Sequence, residues 1–217
     1  MEIKNSFLTF IALGSFNPAA LTPDFLAEEK IFSFETSPEG RTSPVVSEIK
    51  FGNISLLVEL ERFQVMHQEV DSFEKSPIIS IMSNYLNVLK HTPVFVEGIN
   101  FNINLIDYAD STTVANIFEK PIDGIINYVD RSDEYFIDVN TKVAGGRDET
   151  QVINCKYYID DGVSVSINLR KLDMKIVLNF NYEVQNIKSD RSRLSIIPDN
   201  YQNIYEKFIG FVEKIRK

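Results

Sequence analysis

Ser76-Pro77-Ile78-Ile79-Ser80-Ile81-Met82-Ser83-Asn84-Tyr85-Leu86-Asn87-Val88-Leu89-Lys90-His91-Thr92-Pro93 carries one hydrophobic period, and Ile99-Asn100-Phe101-Asn102-Ile103-Asn104-Leu105-Ile106 carries another. In the first stretch Ile78, Met82, Tyr85, Leu86 and Leu89 fall on one face of a 3.6-residue helix. Ser76 can cap that helix through its hydroxyl, and Pro77 suits its first position. Lys90 and His91 fall in the expected last turn, where cations suit the helix dipole. Pro93 ends it and biases Thr92 away from helix. In the second stretch Ile99, Phe101, Ile103 and Leu105 alternate with Asn100, Asn102 and Asn104. Alternate strand residues point to opposite faces, so this strand has one apolar face and one amide face. A helix laid across the apolar face buries stripe and face together.

The same reading extends along the chain. Phe7 to Phe16 reads as a first strand, Asn17-Pro18 as a turn, and Thr22-Pro23 as the start of a short helix through Lys30. Ser37 to Ser43 reads as an exposed loop. Val45–Phe51 and Ile54–Val65 read as two strands joined at Gly52-Asn53. The link from His67 to Lys75 is acidic and reads as exposed. A short helix is expected over 112–118, and strands over 122–129, 135–143, 151–159, 163–169 and 174–184. Asp161-Gly162 marks a hairpin turn. Pro198-Asp199 opens a last helix, with Tyr201, Ile204, Tyr205, Phe208, Phe211, Val212 and Ile215 on one face.

The expected fold class is therefore α+β, with a mainly antiparallel sheet or sheets and two long helices packed on one face. The order strand, strand, loop, long helix occurs at Val45–Lys90 and again at Val163–Lys217. Asn100-Phe101-Asn102 and Asn179-Phe180-Asn181 also share a local pattern, so two similar halves enter as a further reading. The 217 residues read as one α+β unit, with subdomains near 1–120 and 121–217.

Composition narrows the function. The hydrophobic fraction of 44% and charged fraction of 24% are those of a globular protein. No apolar run approaches the roughly 20 residues that a membrane-spanning helix needs, and the first residues do not resemble a secretory signal. The reading is a cytoplasmic protein with no membrane partner. A net charge of -9 works against a fold-wide grip on phosphates, so nucleic acid is not an expected partner. Cys155, the single cysteine, can form no disulfide within the chain and reads as a buried thiol in a strand.

Gly14-Ser15-Phe16-Asn17-Pro18 with Thr22-Pro23-Asp24-Phe25, and His91-Thr92-Pro93-Val94 leading to Gly98-Ile99-Asn100-Phe101, resemble a pattern in uncharacterised bacterial proteins of similar size. The resemblance covers roughly the first half of the chain. It implies a bacterial origin and a single unit, and carries no activity.

Chemical motifs are sparse. His67 and His91 have no second ligand at metal spacing, and no Cys-x-x-Cys or His-x-x-x-His occurs, so neither metal nor cofactor is expected. No serine stands in Gly-x-Ser-x-Gly, and Gly145-Gly146-Arg147 lacks the spacing of a phosphate loop. Asp130, Asp133, Glu134 and Asp138 form the densest acidic group, with Asp107 and Asp110 second. The unusual surface is the amide face of Asn100, Asn102 and Asn104, because asparagine is disfavoured in strands. Amides both donate and accept, which suits a groove or partner-binding sheet. The leading expectation is a non-enzymatic binding or assembly subunit of a bacterial multi-protein system, with a protein partner or self-association. The alternative is an enzyme whose carboxylates Asp107, Asp130 and Asp138 gather in a cleft, with or without a divalent cation. Lys188, Arg191 and Arg193 supply a third, nucleic-acid reading that the net charge opposes.

Overall fold

The computed structural model describes residues 3–32, 38–106, 119, 138–144, 150–160, 162–172, 175–185 and 196–216. The described elements are β1 (Ile3–Gly14), a single 3₁₀ turn (Pro18–Ala20), α1 (Pro23–Glu28), β2 (Glu39–Arg41), β3 (Val46–Phe51), β4 (Ile54–Glu59), β5 (Arg62–Gln68), α2 (Ile78–Val88), β6 (Val94–Ile106), β7 (Asp138–Ala144), β8 (Thr150–Asp160), β9 (Val163–Leu172), β10 (Lys175–Gln185) and α3 (Ile196–Arg216). The sheet is mostly antiparallel, as the alternation and turn chemistry imply. Contacts divide the chain into two compact units, each made of separate segments. The first is Phe7–Ile99 with Val184–Tyr201, and the second is Met1–Ser6, Asn100–Glu183 and Gln202–Lys217.

In the first unit the strand order is β2-β3-β4-β5-β1-β6. Leu8, Phe10 and Ala12 stand opposite His67, Val65 and Phe63, and Val65 and Phe63 stand opposite Leu56 and Val58. Apart from half-buried His67, these residues are buried. Tyr85 of α2 lies on this face, stacked on Phe63 with centroids 4.1 Å apart, and Phe25 of α1 meets Tyr85 edge-on. In the second unit the order is β6-β10-β9-β8-β7. Phe101 and Phe180 receive Phe208 of α3, stacked at 4.6 Å and edge-on at 5.7 Å respectively. Each fully buried aromatic side chain contributes roughly 1.5–3 kcal/mol, so these clusters set the sides on which the helices lie. Phe101, Ile103 and Cys155 are buried as expected.

The two fragments that carried the resemblance meet in the first unit. A Cβ added at Gly14 would lie 2.1 Å from the Pro93 carbonyl oxygen, so only glycine permits this approach. The N–H of Ser15 donates to that same oxygen at 3.0 Å. Asn17 Oδ1 accepts from the N–H of Ala19, and Thr22 Oγ1 from that of Phe25, capping the two short turns. Local turn chemistry thus accounts for these residues.

Several boundaries differ from expectation. The loop Ser37–Ser43 contains β2, which pairs with β3. The expected strand Ile54–Val65 is two strands, because the inward phase changes from Leu56 and Val58 to Phe63 and Val65; the exposed Leu60 and Glu61 turn the chain between them. The link from His67 to Lys75 buries Val70 and Phe73. Helix α2 ends at Val88, so Lys90 and His91 lie beyond its last turn. Strand β6 begins at Val94 and α3 at Ile196. The expected elements at 112–118 and 122–129, the boundary near residue 120 and the connection 186–193 lie outside the described residues.

Glu97 lies on the inward phase of β6 and is 2% exposed. Its Oε2 accepts from the N–H of Ile197, 3.2 Å away, in the first turn of α3. A helix N-terminus leaves such donors unsatisfied and favours negative charge, which explains a carboxylate on a face otherwise apolar. Tyr201 secures the same turn by donating its hydroxyl to the Phe73 carbonyl at 2.7 Å. Replacing Glu97 with Ala orphans a buried N–H and is expected to cost about 1–3 kcal/mol. Glu97→Gln keeps an acceptor and should lose less, as urea unfolding of the two variants would measure.

Tyr85 is fully buried, burial pushes its phenol above the ordinary tyrosine range, and its hydroxyl has no partner among the described residues. Tyr85→Phe keeps the ring stack and removes the orphaned group. The expected result is stability unchanged or raised by about 1 kcal/mol in urea unfolding; a clear loss would reveal a partner for the hydroxyl.

Candidate functional site

The second unit leaves one polar sheet face, and asparagine dominates it. Asn140 of β7 stands opposite Asn154 of β8, and Asn154 stands opposite Asn168 of β9. Asn168 Nδ2 donates to Asn154 Oδ1. Arg170 Nε donates to Asn168 Oδ1 at 3.1 Å, so guanidinium and amides form a chain. Asn179 Nδ2 of β10 donates to Asn102 Oδ1 of β6 at 2.7 Å. Lys156 pairs with Glu183 at 3.9 Å and lies 5.4 Å from the centroid of the Tyr158 ring, which is 45% exposed.

The three amides singled out in the sequence therefore differ. Asn102 is 8% exposed and paired with Asn179, whereas Asn100 and Asn104 are half-buried. Neither Asn100 nor Asn104 makes a side-chain hydrogen bond among the described residues, and half-buried Asn181 resembles them. A buried amide needs a partner, since an unsatisfied one costs about 1–3 kcal/mol. The half-buried ones keep water as theirs. Asn140, Asn154 and Asn168 were missed because each stands in its own strand without a repeat along it. Only register aligns them: a two-residue turn at Asp161-Gly162 would by itself pair Asn154 with Leu169, and the irregularity between Tyr158 and Asp160 shifts its partner to Asn168.

No protein-family model matches this chain, and no curated protein matches it.

The carboxylates of the alternative reading fall only in part among the described residues. Asp107 and Asp130 lie outside the described residues, while Asp138 stands in β7 opposite Lys156. Among the described residues no three His, Cys, Asp or Glu side chains group to hold a metal ion. No described helix is long and apolar enough to cross a membrane.

One titratable pair was not foreseen. His67 Nδ1 lies 3.0 Å from Ser76 Oγ, and the N–H of Ile78 donates to that oxygen at 3.4 Å. With the ring neutral and its proton on Nε2, the Ser76 hydroxyl donates to Nδ1 while accepting from Ile78, so the pair ties the end of β5 to the start of α2. Burial lowers the His67 pKa below 6.5, and the Asp71 charge opposes that shift more weakly. The unfolded chain then binds the proton more readily than the folded one. Stability should be complete above a pH of about 6.5 and fall as pH drops through the lowered folded value. Urea midpoints taken from about pH 7.5 to about pH 5 should show this fall. His67→Gln, which does not titrate, should flatten that part of the profile; an unchanged slope would assign it to other groups.

Proposed function

We propose that this protein is a non-enzymatic binding or assembly subunit, and that the polar sheet face of its second unit is the surface that recognises its partner. The observation that carries the reading is the chain Asn154–Asn168–Arg170 beside the exposed Tyr158. Amides offer donors and acceptors together, and an aromatic ring with a hydrogen-bonded arginine supplies the anchors typical of protein interfaces. With Lys156 paired to Glu183, Arg170 is a single cation beside the amides rather than part of a basic cluster, which suits a protein partner better than a polyanion. Within the face, Asn102 and Asn179 hold the sheet, while Asn100, Asn104, Asn154 and Asn168 meet the partner. A bacterial multi-protein system and a cytoplasmic location belong to the same reading.

We also infer that the chain is a duplication of one strand-and-helix unit. Four strands follow a first strand, which pairs with the last of them, and a helix follows: β1 to α2, then β6 to α3. The central hairpin of each series, β3–β4 and β8–β9, turns at a glycine of positive φ, Gly52 at 54° and Gly162 at 80°.

Affinity capture of the tagged chain from its own cells should recover a stoichiometric protein. The double variant Asn154→Ala/Asn168→Ala should reduce that recovery about tenfold, a loss of about 1.4 kcal/mol, with circular dichroism and unfolding midpoint unchanged. Asn102→Ala should instead lower the midpoint. Full recovery with the double variant would remove the polar face from the function.

A further inference from the structure

We propose that the outward sheet face of the first unit is a second docking surface, and that its occupant is a peptide segment bearing a carboxylate between apolar side chains. The face is set by register. Phe7, Thr9, Ile11 and Leu13 of β1 stand opposite Gln68, Met66, Gln64 and Arg62 of β5, and Leu57 of β4 stands opposite Gln64. These residues alternate with the core residues Leu8, Phe10, Ala12, Phe63 and Val65, so they point away from α2. Phe7 is 38% and Leu13 41% exposed, while Ile11, Leu57 and Met66 are half-buried. Apolar side chains gathered on a sheet face, here on both sides of Gln64, mark an interaction site where they form one patch.

Arg62 states what the occupant must carry. Its guanidinium is half-buried on this face and donates through Nη2 to Gln64 Oε1. Its Nε is buried without a hydrogen-bond partner among the described residues. No carboxylate among the described residues forms an ion pair with it. A cationic donor left unsatisfied in apolar surroundings is costly. A carboxylate arriving with its own apolar neighbours would give the guanidinium a counter-charge and cover Leu13 and Ile11 in one step, and arginine suits that geometry better than lysine. This surface does not depend on the amide face of the second unit, so either can fail alone.

The test is selection of a displayed random peptide library on the full chain, followed by fluorescence anisotropy of the enriched peptides. The expected binders carry Asp or Glu flanked by apolar residues. Their affinity should fall at least tenfold on Arg62→Gln and on Leu13→Asp, fall less on Arg62→Lys, and stay unchanged on Asn154→Ala/Asn168→Ala. An unfolding midpoint for each variant separates lost binding from lost fold. A selection that yields no binders overturns the proposal. So do binders without a carboxylate, or binders indifferent to Arg62→Gln.

Discussion

Everything in this chain depends on covering one face of each strand group with aromatic side chains from a helix. Tyr85 on Phe63 and Phe208 on Phe101 are near-parallel stacks, with interplanar angles of 18° and 15°. Burial of each ring is worth roughly 1.5–3 kcal/mol, and the stacking itself about 0.5–1.5 kcal/mol more. The solvent-exposed pair Lys50–Glu48 is worth no more than about 1 kcal/mol. Aromatic burial therefore decides which side of the strands each helix occupies. Polar contacts then fix details such as the seating of the first turn of α3 on Glu97.

What was legible in the sequence was what a period can carry. The helix at Ile78–Val88 and the inward face of Phe101 and Ile103 follow from spacing alone, as does the buried stripe of α3. The break between β4 and β5 was also written in the sequence, since Val58 and Phe63 are an odd number of residues apart and cannot share a face of one continuous strand. It was hidden by Leu60, an apolar residue that extends the hydrophobic run across a turn. Glu97 had a comparable signal: a charge in phase with Ile99 and Phe101 is costly unless something buried needs it. The something was a helix terminus 100 residues later, which no local pattern names.

The candidate surfaces were less legible because they are products of pairing. Three asparagines along β6 are visible as a run, yet the amides that form a chain with Arg170 come from β8 and β9. Likewise Arg62 looks like an ordinary charge at the start of a strand until register places Leu13 opposite it. Sheet registers gather residues far apart in sequence at single-residue precision, so chemistry on a sheet face is the last thing a linear reading recovers.

The two outward faces also answer to different rules. Inward residues on both sets of strands are constrained alike, because each must pack against a helix, and they are mostly alike: Phe, Leu, Ile and Val, with exceptions such as Ala12, Ser47, Glu97, Cys155 and Tyr157. Outward residues carry no such constraint, and there the units part. One presents Phe7, Ile11 and Leu13 around a half-satisfied guanidinium, the other amides and a tyrosine. Solubility alone would favour charged residues at both, yet half-exposed apolar groups stand at one and neutral amides at the other. Fold stability does not ask for that difference, since the helices cover the opposite side in each case. Contact with two chemically different surfaces, one apolar and acidic, one polar, is what the two proposed docking faces would ask for.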